Sequence, residues 1–205
     1  GYRDKTLDFA KKYCKDNDIK LYISSYKETF GKDLDKIVKN TDTIPCSICG
    51  VFRRYLLNFK AKELKINRLA TGHNLDDEAQ TIMMNQFRNN LTVSARLGPI
   101  NGLSSSKKFI RRIKPLYFLT EKEIMTYAYL NKLSTDFNEC PYAHLNYRSK
   151  LRDLINNMEE VYSGSKNGIV KSFLEILPEL KKKYTSENKG INDCEICGEP
   201  TSKDK

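Results

Sequence analysis

The chain has 205 residues, which suits one domain or one domain with a small appendage. Hydrophobic residues make up 39% of it, so the chain has enough apolar side chains for a packed core and is not of the disordered class. No apolar run approaches the roughly 18–20 residues of a membrane span, and no secretory signal is visible. The net charge of +10 favours a polyanionic partner such as nucleic acid, although a lysine-rich bias on solvated helix faces gives the same total.

Alternating strand and helix patterns predict an α/β protein with a doubly wound parallel sheet. Residues 19–25 alternate like a strand, and residues 68–71 form a short apolar strand. Residues 75–87 read as a helix with Asn74 as its N-cap. The other predicted segments are helix 3–17, helix 31–39, loop 41–49, helix 48–64, loop 90–106, edge strand 109–113, helix 121–130, helix 147–162 and helix 169–184, which Pro178 should bend or interrupt.

A candidate nucleotide site follows the strand at 68–71. The loop at 72–74 leads into a helix N-terminus, which offers backbone donors to a phosphate. Asp76 and Asp77 come next and could hold Mg²⁺ that bridges to phosphate oxygens. The alternative is an ordinary helix start, because acidic residues in a first turn stabilise a helix by themselves. The local pattern does not decide between the two.

The chain has six cysteines, and two Cys-x-x-Cys pairs among them favour metal or redox chemistry over a disulfide framework. Cys46 and Cys49 form the first pair, but two thiolates cannot complete a tetrahedral metal site. Cys140 is the obvious third ligand, and three cysteines would leave one iron of a [4Fe–4S] cluster open to an exogenous sulfur. The alternative is a redox or disulfide pair with an unrelated buried Cys140.

Cys194 and Cys197 form the second pair, which is typical of half a zinc ribbon or knuckle. Tetrahedral zinc needs two further ligands, so we expect them from chain beyond Lys205 or from an N-terminal finger. Basic residues are candidate contacts for RNA phosphates. The first group is Lys107, Lys108, Arg111, Arg112 and Lys114, with Arg148 and Arg152 as the other candidates.

Together these motifs resemble the tRNA 2-thiolation enzymes of the archaeal and eukaryotic cytosolic type. The matching runs are PCSICG at 45–50, TGHNLDDEAQT at 71–81, ECPY at 139–142 and CEICG at 194–198. The resemblance implies an adenine-nucleotide hydrolase fold of the PP-loop type, in the PP-loop ATP pyrophosphatase superfamily. It also implies that ATP adenylates the C2 oxygen of a tRNA uridine and that sulfur then displaces AMP. We favour the wobble uridine over the T-loop uridine.

The resemblance also implies roles for individual residues. Cys46, Cys49 and Cys140 would hold the [4Fe–4S] cluster, and Cys194 and Cys197 would bind Zn²⁺. The implied catalytic residues are Cys46, Cys140, Asp77 and Arg53, the last at a position that is often Lys in relatives. The implied ligands of ATP and Mg²⁺ are Gly72, His73, Asn74 and Asp76.

The resemblance further implies tRNA as partner, a ubiquitin-like sulfur carrier or free sulfide as sulfur donor, a homodimer, no membrane and a cytoplasmic location. Relatives carry an N-terminal zinc finger and a Ser-Gly-Gly-Lys-Asp-Ser phosphate loop, and neither is present in this chain. We therefore expect a fragment that does not turn over ATP alone. We predict a catalytic α/β domain over 1–145 without its N-terminal part, a helical extension over 146–190 and a partial zinc finger over 191–205.

Other functions compete with this hypothesis. A cytidine 2-thiolase or a lysidine-type tRNA ligase would share the fold, but the C-terminal cysteine pair argues against both. A non-catalytic zinc-containing RNA-binding module would explain the charge and that pair. It would leave residues 72–77 without a role.

Overall fold

The computed structural model describes residues 4–39, 41–101, 110–133 and 139–186, with 192–193 and 200–201. The chain divides into two compact units. Unit 1 comprises Gly1–Leu56 and Lys122–Ser149, and unit 2 comprises Leu57–Glu121 and Lys150–Lys205. The domain boundaries predicted above, after residues 145 and 190, remain a prediction.

Helices dominate the residues that the structure describes. The helices are α1 (Asp4–Asp16), α2 (Tyr26–Phe30), α3 (Leu34–Val38), α4 (Pro45–Glu63), α5 (Leu75–Phe87), α6 (Leu91–Ser94), α7 (Glu121–Leu130), α8 (Tyr147–Val161) and α9 (Ser165–Ser186), with a 3₁₀ turn at Ala143–Leu145. The strands are β1 (Arg68–Ala70), β2 (Arg111–Ile113), β3 (Asn192–Asp193) and β4 (Pro200–Thr201). Across this part of the chain, no helix is both long enough and apolar enough to cross a membrane.

The two longer strands confirm an α/β fold with parallel pairing. Strand β1 pairs with β2 in parallel, with Arg68 opposite Arg111 and Ala70 opposite Ile113. Strands β3 and β4 pair antiparallel. The wider doubly wound sheet is not seen within the described ranges, where the parallel sheet has two strands.

The strand predicted over 19–25 is wrong in this structure. The segment forms no ladder with any described strand. Ile19 is 50% exposed and Ile23 is 51% exposed. An alternating pattern becomes a strand only when its backbone groups meet those of a neighbouring strand, and the pattern does not supply that neighbour.

Helix α4 begins earlier than predicted. It starts at Pro45, so Cys46 and Cys49 lie in its first turn rather than in a loop. The backbone N–H of Ser47 donates to the carbonyl of Ile44 at 2.9 Å. Proline suits the first position of a helix, because the N–H that it lacks would have no partner inside the helix there.

The predicted helix over 31–39 is shorter in the structure, where α3 covers Leu34–Val38, and a separate short helix, α2, precedes it at Tyr26–Phe30. Gly31, with φ of +72°, ends α2 and donates its backbone N–H to the carbonyl of Lys27. This left-handed conformation is favourable for glycine, which carries no Cβ. Helix α3 then begins at Leu34.

The core of unit 2 joins α5 to α9. On α5 the buried residues recur at helical spacing, and α9 presents a matching row. The core residues are Leu75, Ala79, Ile82, Leu97, Tyr117, Val170, Phe173 and Leu177. Helix α9 continues through Pro178 to Ser186, so the predicted interruption does not occur. This packing fixes the helix whose N-terminus carries the candidate nucleotide loop.

Candidate functional site

Unit 1 contains three half-buried free cysteines that the sequence singled out. Cys46 and Cys49 project from the first turn of α4. Cys140 lies three residues before the 3₁₀ turn at Ala143–Leu145. Burial raises the pKa of the Cys46 thiol, and negative charge on Cys140 and on Cys49 raises it further. Cys46 therefore lies within electrostatic range of both other sulfurs.

Contacts from Tyr142 hold the Cys140 segment beside Cys46. The Cys46 thiol donates to the carbonyl of Tyr142 at 3.9 Å, across 96 residues of sequence. The Tyr142 hydroxyl donates to Oδ1 of Asp35 at 2.7 Å. Helix α3 therefore supports the segment that follows Cys140.

Two hydrogen-bond donors surround Cys49. The Tyr26 hydroxyl lies 3.4 Å from the Cys49 sulfur and donates to the Cys49 carbonyl at 3.2 Å. Nη2 of Arg53 donates to the same sulfur at 3.4 Å. Burial, and then the hydrogen bond with Cys49, raises the pKa of Tyr26 to about 12, so the phenol keeps its proton at neutral pH.

The family resemblance implied Arg53 as a site residue, and the sequence analysis missed Tyr26. Arg53 lies four residues after Cys49 on one helix, and that spacing places two side chains on the same face. Tyr26 lies on another helix, 23 residues before Cys49. No periodicity links the two positions, so only the fold brings them together.

The donor set in unit 1 fits an iron–sulfur cluster in chemistry. Within the described ranges, no group of three or more His, Cys, Asp or Glu residues is arranged to hold a single metal ion. A four-iron cube is wider than one ion, so its thiolate ligands need not converge on one point. Three cysteines, brought near one another from two segments, are the ligand type that such clusters take.

The candidate nucleotide loop lies in unit 2, between β1 and α5. Oδ1 of Asn74 accepts from the backbone N–H of Asp77 at 3.0 Å, and Oδ2 of Asp77 accepts from the backbone N–H of Asn74 at 3.3 Å. This capping box confirms the predicted N-cap. Gly72 and His73 are exposed. Nδ1 of His73 is hydrogen-bonded to the Thr71 hydroxyl at 2.9 Å.

Asp76 makes other contacts from the same turn. Its side chain is 5% exposed, and Oδ1 is paired with Nζ of Lys166. Its Oδ2 accepts from the backbone N–H of Glu121 at 2.7 Å. Both oxygens thus already have a partner, and the carboxylate is nearly buried, so it is less open to Mg²⁺ than an exposed carboxylate would be. Burial raises the pKa of Glu121, and the charge of Asp76 adds to this effect.

A buried ion pair lies one turn further along the same region. Nζ of Lys114 is 2.6 Å from Oε1 of Glu78, and the side chains are 4% and 3% exposed. The same ammonium group lies 5.6 Å from the centroid of the Tyr117 ring. Lys114 therefore joins the end of β2 to α5. It is not available as a surface contact for RNA, contrary to its place in the predicted basic group.

Several predicted site residues fall elsewhere. Arg111 and Arg112 are half-buried on β2. Lys107 and Lys108 lie outside the described residues, as do Cys194 and Cys197. Phosphate contact by this group and zinc binding by the C-terminal pair therefore remain predictions.

Comparison with known proteins places this chain in a family. The model of a family described as the PP-loop domain matches residues 4–158. The chain belongs to the PP-loop domain family. Within that family, a solved structure with a TM-score of 0.76 is the U34-tRNA thiolase NcsA from Methanococcus maripaludis with its [4Fe-4S] cluster. It is 40% identical in sequence, and the match covers 87% of this chain and 59% of that one.

Curated relatives of this PP-loop protein carry related names. The tRNA 2-thiolation protein NcsA of Haloferax volcanii is 37% identical, over 100% of this chain and 66% of its own length. The tRNA-5-methyluridine(54) 2-sulfurtransferase of Pyrococcus horikoshii is 36% identical, over 100% and 64%. The cytoplasmic tRNA 2-thiolation protein 1 of Danio rerio is 38% identical, over 78% and 47%. The chain thus spans less than two thirds of the length of the first curated relatives, and the predicted resemblance to tRNA 2-thiolation proteins is confirmed.

Proposed function

We propose that this chain is part of an ATP-dependent tRNA uridine 2-sulfurtransferase. One observation carries the proposal: the Cys46 thiol, three residues before Cys49 on α4, donates to the carbonyl of Tyr142, two residues after Cys140. The relative of known structure, which is 40% identical, is named as a tRNA thiolase with a [4Fe-4S] cluster. A non-catalytic RNA-binding module would have no use for this arrangement.

In the proposed reaction, the C2 oxygen of uridine attacks the α-phosphorus of ATP, and pyrophosphate leaves. Hydrosulfide, which is sulfur at the sulfide level, then attacks C2, the bond from C2 to oxygen breaks, and AMP departs with that oxygen. The hydrosulfide proton returns to N3, which lost its own proton when the oxygen was adenylated. Adenylation is needed because the carbonyl oxygen is otherwise a poor leaving group. When bound, the cluster would supply an iron with an open coordination position for the incoming sulfur.

In this proposal the nucleotide-binding residues lie in unit 2 and the sulfur-binding residues lie in unit 1. In unit 2 the exposed backbone at Gly72 and His73 meets a helix N-terminus, where phosphate binding is favourable. Asp77 would act there as the acidic residue, through Mg²⁺ or the leaving group, since Asp76 is held by Lys166. In unit 1 Arg53 supplies positive charge beside Cys49.

The wobble uridine is the target that we favour. The structural relative named as a U34-tRNA thiolase is 40% identical, whereas the relative named for position 54 is 36% identical. We also propose a sulfur carrier protein or sulfide as the donor, zinc bound by Cys194 and Cys197, a homodimer, and a cytoplasmic location like that in the names of eukaryotic relatives.

The test is anaerobic purification of the full-length protein, followed by iron, sulfide and zinc analysis. We expect about four irons and four sulfides per chain. Cys140→Ser should lose most of the iron, whereas Cys14→Ser, at a free cysteine on α1, should lose none. The protein should then release AMP and form a thionucleoside only when ATP, tRNA and a sulfur source are all present. Full iron content in Cys140→Ser would refute the ligand assignment, and tRNA binding without AMP release would refute the enzyme.

A further inference from the structure

The two donors at Cys49 behave differently from the contact at Cys46. The Cys46 contact runs from the sulfur to a carbonyl, so it needs the thiol proton. A cysteine that ligates iron is a thiolate and has no such proton. At Cys49 the guanidinium of Arg53 can only donate. The phenol of Tyr26 has one proton, which it donates to the Cys49 carbonyl here and can turn toward the sulfur, 3.4 Å away, once the sulfur is ionised. Ligation would therefore remove the first contact and strengthen the other two, because a charged acceptor makes stronger hydrogen bonds.

Tyr26 is placed at Cys49 by local structure that the sequence encodes. Ser25 caps α2, and its side chain accepts from the backbone N–H of Glu28 at 3.2 Å. This cap sets Tyr26 as the first residue of the helix. The short helix therefore presents the phenol at a defined point.

Aromatic packing then fixes α2 against α4. The Tyr26 ring meets the Phe52 ring edge-on, with centroids 5.7 Å apart, and Phe30 stacks on Phe52 at 4.4 Å. Phe30 also contacts the ring of Tyr55 at 5.5 Å. Phe52 lies three residues after Cys49, so the two side chains share a face of α4. The rings of α2 therefore pack against the face that carries the cysteine. The Tyr26 ring contacts both Phe52 and Phe30, and this packing keeps its hydroxyl close to the Cys49 sulfur.

We infer that Tyr26 is a positioning residue for the cluster site: its hydroxyl, together with the Arg53 guanidinium, hydrogen-bonds the Cys49 sulfur and holds it in place as a ligand. The inference rests on the proposed function, because it takes Cys49 as a cluster ligand. Hydrogen bonds to ligand sulfurs set the reduction potentials of iron–sulfur clusters, and groups behind the ligands set metal affinity.

The test compares Tyr26→Phe with Tyr55→Phe in the full-length protein, reconstituted anaerobically with iron and sulfide. Both variants lose one hydroxyl from the same aromatic group, and Tyr26 is the one whose hydroxyl lies 3.4 Å from the Cys49 sulfur. We expect each to take up as much iron as the wild type. Tyr26→Phe should lose iron to a chelator about tenfold faster. Its reduction potential should shift to more negative values, because the lost hydrogen bond stabilised the more negatively charged, reduced state. Tyr55→Phe should match the wild type in both measurements.

A second variant, Arg53→Met, keeps the inference testable if Tyr26→Phe does not fold. Arg53→Met removes the other donor and its hydrogen bond with Tyr26, but leaves the ring contacts among Tyr26, Phe30 and Phe52 in place. Its potential should also shift to more negative values. If both Tyr26→Phe and Arg53→Met bind full iron and keep the wild-type potential and chelator rate, the inference is wrong while the cluster assignment stands. If the wild-type protein binds no iron, the inference and the proposed function both fail.

Discussion

At the scale of single residues, Asp76 and Asp77 show how two identical side chains differ by environment. One helical step of about 100° separates them, so they face different neighbours. Asp76 is 4% exposed and is held by Lys166 and by the backbone of Glu121. Asp77 is half-buried and caps α5 through Asn74. Asp76 therefore joins α5 to its neighbours in unit 2, and Asp77 is the aspartate that we propose to meet a ligand.

The substitution Asp77→Asn separates capping from charge. An amide oxygen can still accept the Asn74 N–H, so the free energy of unfolding should change by no more than about 1 kcal/mol. The charge that would hold Mg²⁺ is lost, and thiolation by the full-length protein should fall by about 100-fold or more. Chemical denaturation and single-turnover assays measure the two quantities. A loss of activity no larger than the loss of folded protein would show that Asp77 is only a cap.

At the scale of elements, helices and caps that depend on neighbouring residues can be predicted from the sequence. Contacts between distant segments cannot. Helix α5 and its cap at Asn74 match the prediction, because the capping box lies within four residues. The start of α4 differs from the prediction because proline is as common in loops as at a helix start. Residues 19–25 alternate like a strand, but this alternation does not show which other segment they would pair with. The pairing of Asp76 with Lys166, 90 residues apart, has no signal in the sequence.

Two glycine substitutions should have opposite effects on stability. Gly98 has φ of +122°, and a Cβ there would lie 3.2 Å from Cδ2 of Leu177. Gly98→Ala should therefore destabilise unit 2 by about 1–3 kcal/mol. Gly168 lies in α9, where an added Cβ would meet no other atom within 4 Å, so Gly168→Ala should stabilise by about 0.5–1 kcal/mol. Urea denaturation measures both, and equal effects would contradict the proposed strain at Gly98.

Removing one partner of the buried pair of Lys114 and Glu78 should lower the free energy of unfolding strongly. Replacing both partners with apolar side chains should lower it much less. Lys114→Met leaves a carboxylate in a buried position and should destabilise by about 3–5 kcal/mol. The double variant Lys114→Met/Glu78→Leu should regain much of that loss, because it removes both charges. Lys60→Met, at a solvent-exposed pair with Glu63, should change stability by less than about 1 kcal/mol. A double variant no more stable than Lys114→Met would argue that the pair acts through shape rather than charge.

At the scale of the whole molecule, the net charge of +10 bears on the proposed association with tRNA. Counterions released from RNA phosphates make such binding weaken with salt, with a slope that counts the contacts. The basic run that contains Arg111 and Arg112 is the predicted contact. Because Lys114 is buried against Glu78, the run offers fewer charges to RNA than its sequence indicates.

Replacing Lys107, Lys108, Arg111 and Arg112 with Gln should reduce the slope of log K against log salt by about 3. The control carries four Gln substitutions on α1, at Lys5, Lys11, Lys12 and Lys15, and has the same net charge. Filter binding of a tRNA transcript at several salt concentrations gives both slopes. Equal slopes in the two variants would place the RNA elsewhere, with Arg148 and Arg152 as the next candidates.

The shared core of α5 and α9 has a consequence for hydrogen exchange. Leu75 and Ala79 pack with Val170 and Phe173, and Asp76 is paired with Lys166. The two helices should therefore open as one cooperative unit, and their slowest amides should exchange with a common opening free energy. A nucleotide bound at the loop before α5 would raise that free energy by mass action. Protection would then increase along α9 as well, so amides about 100 residues away in sequence would report binding at the loop.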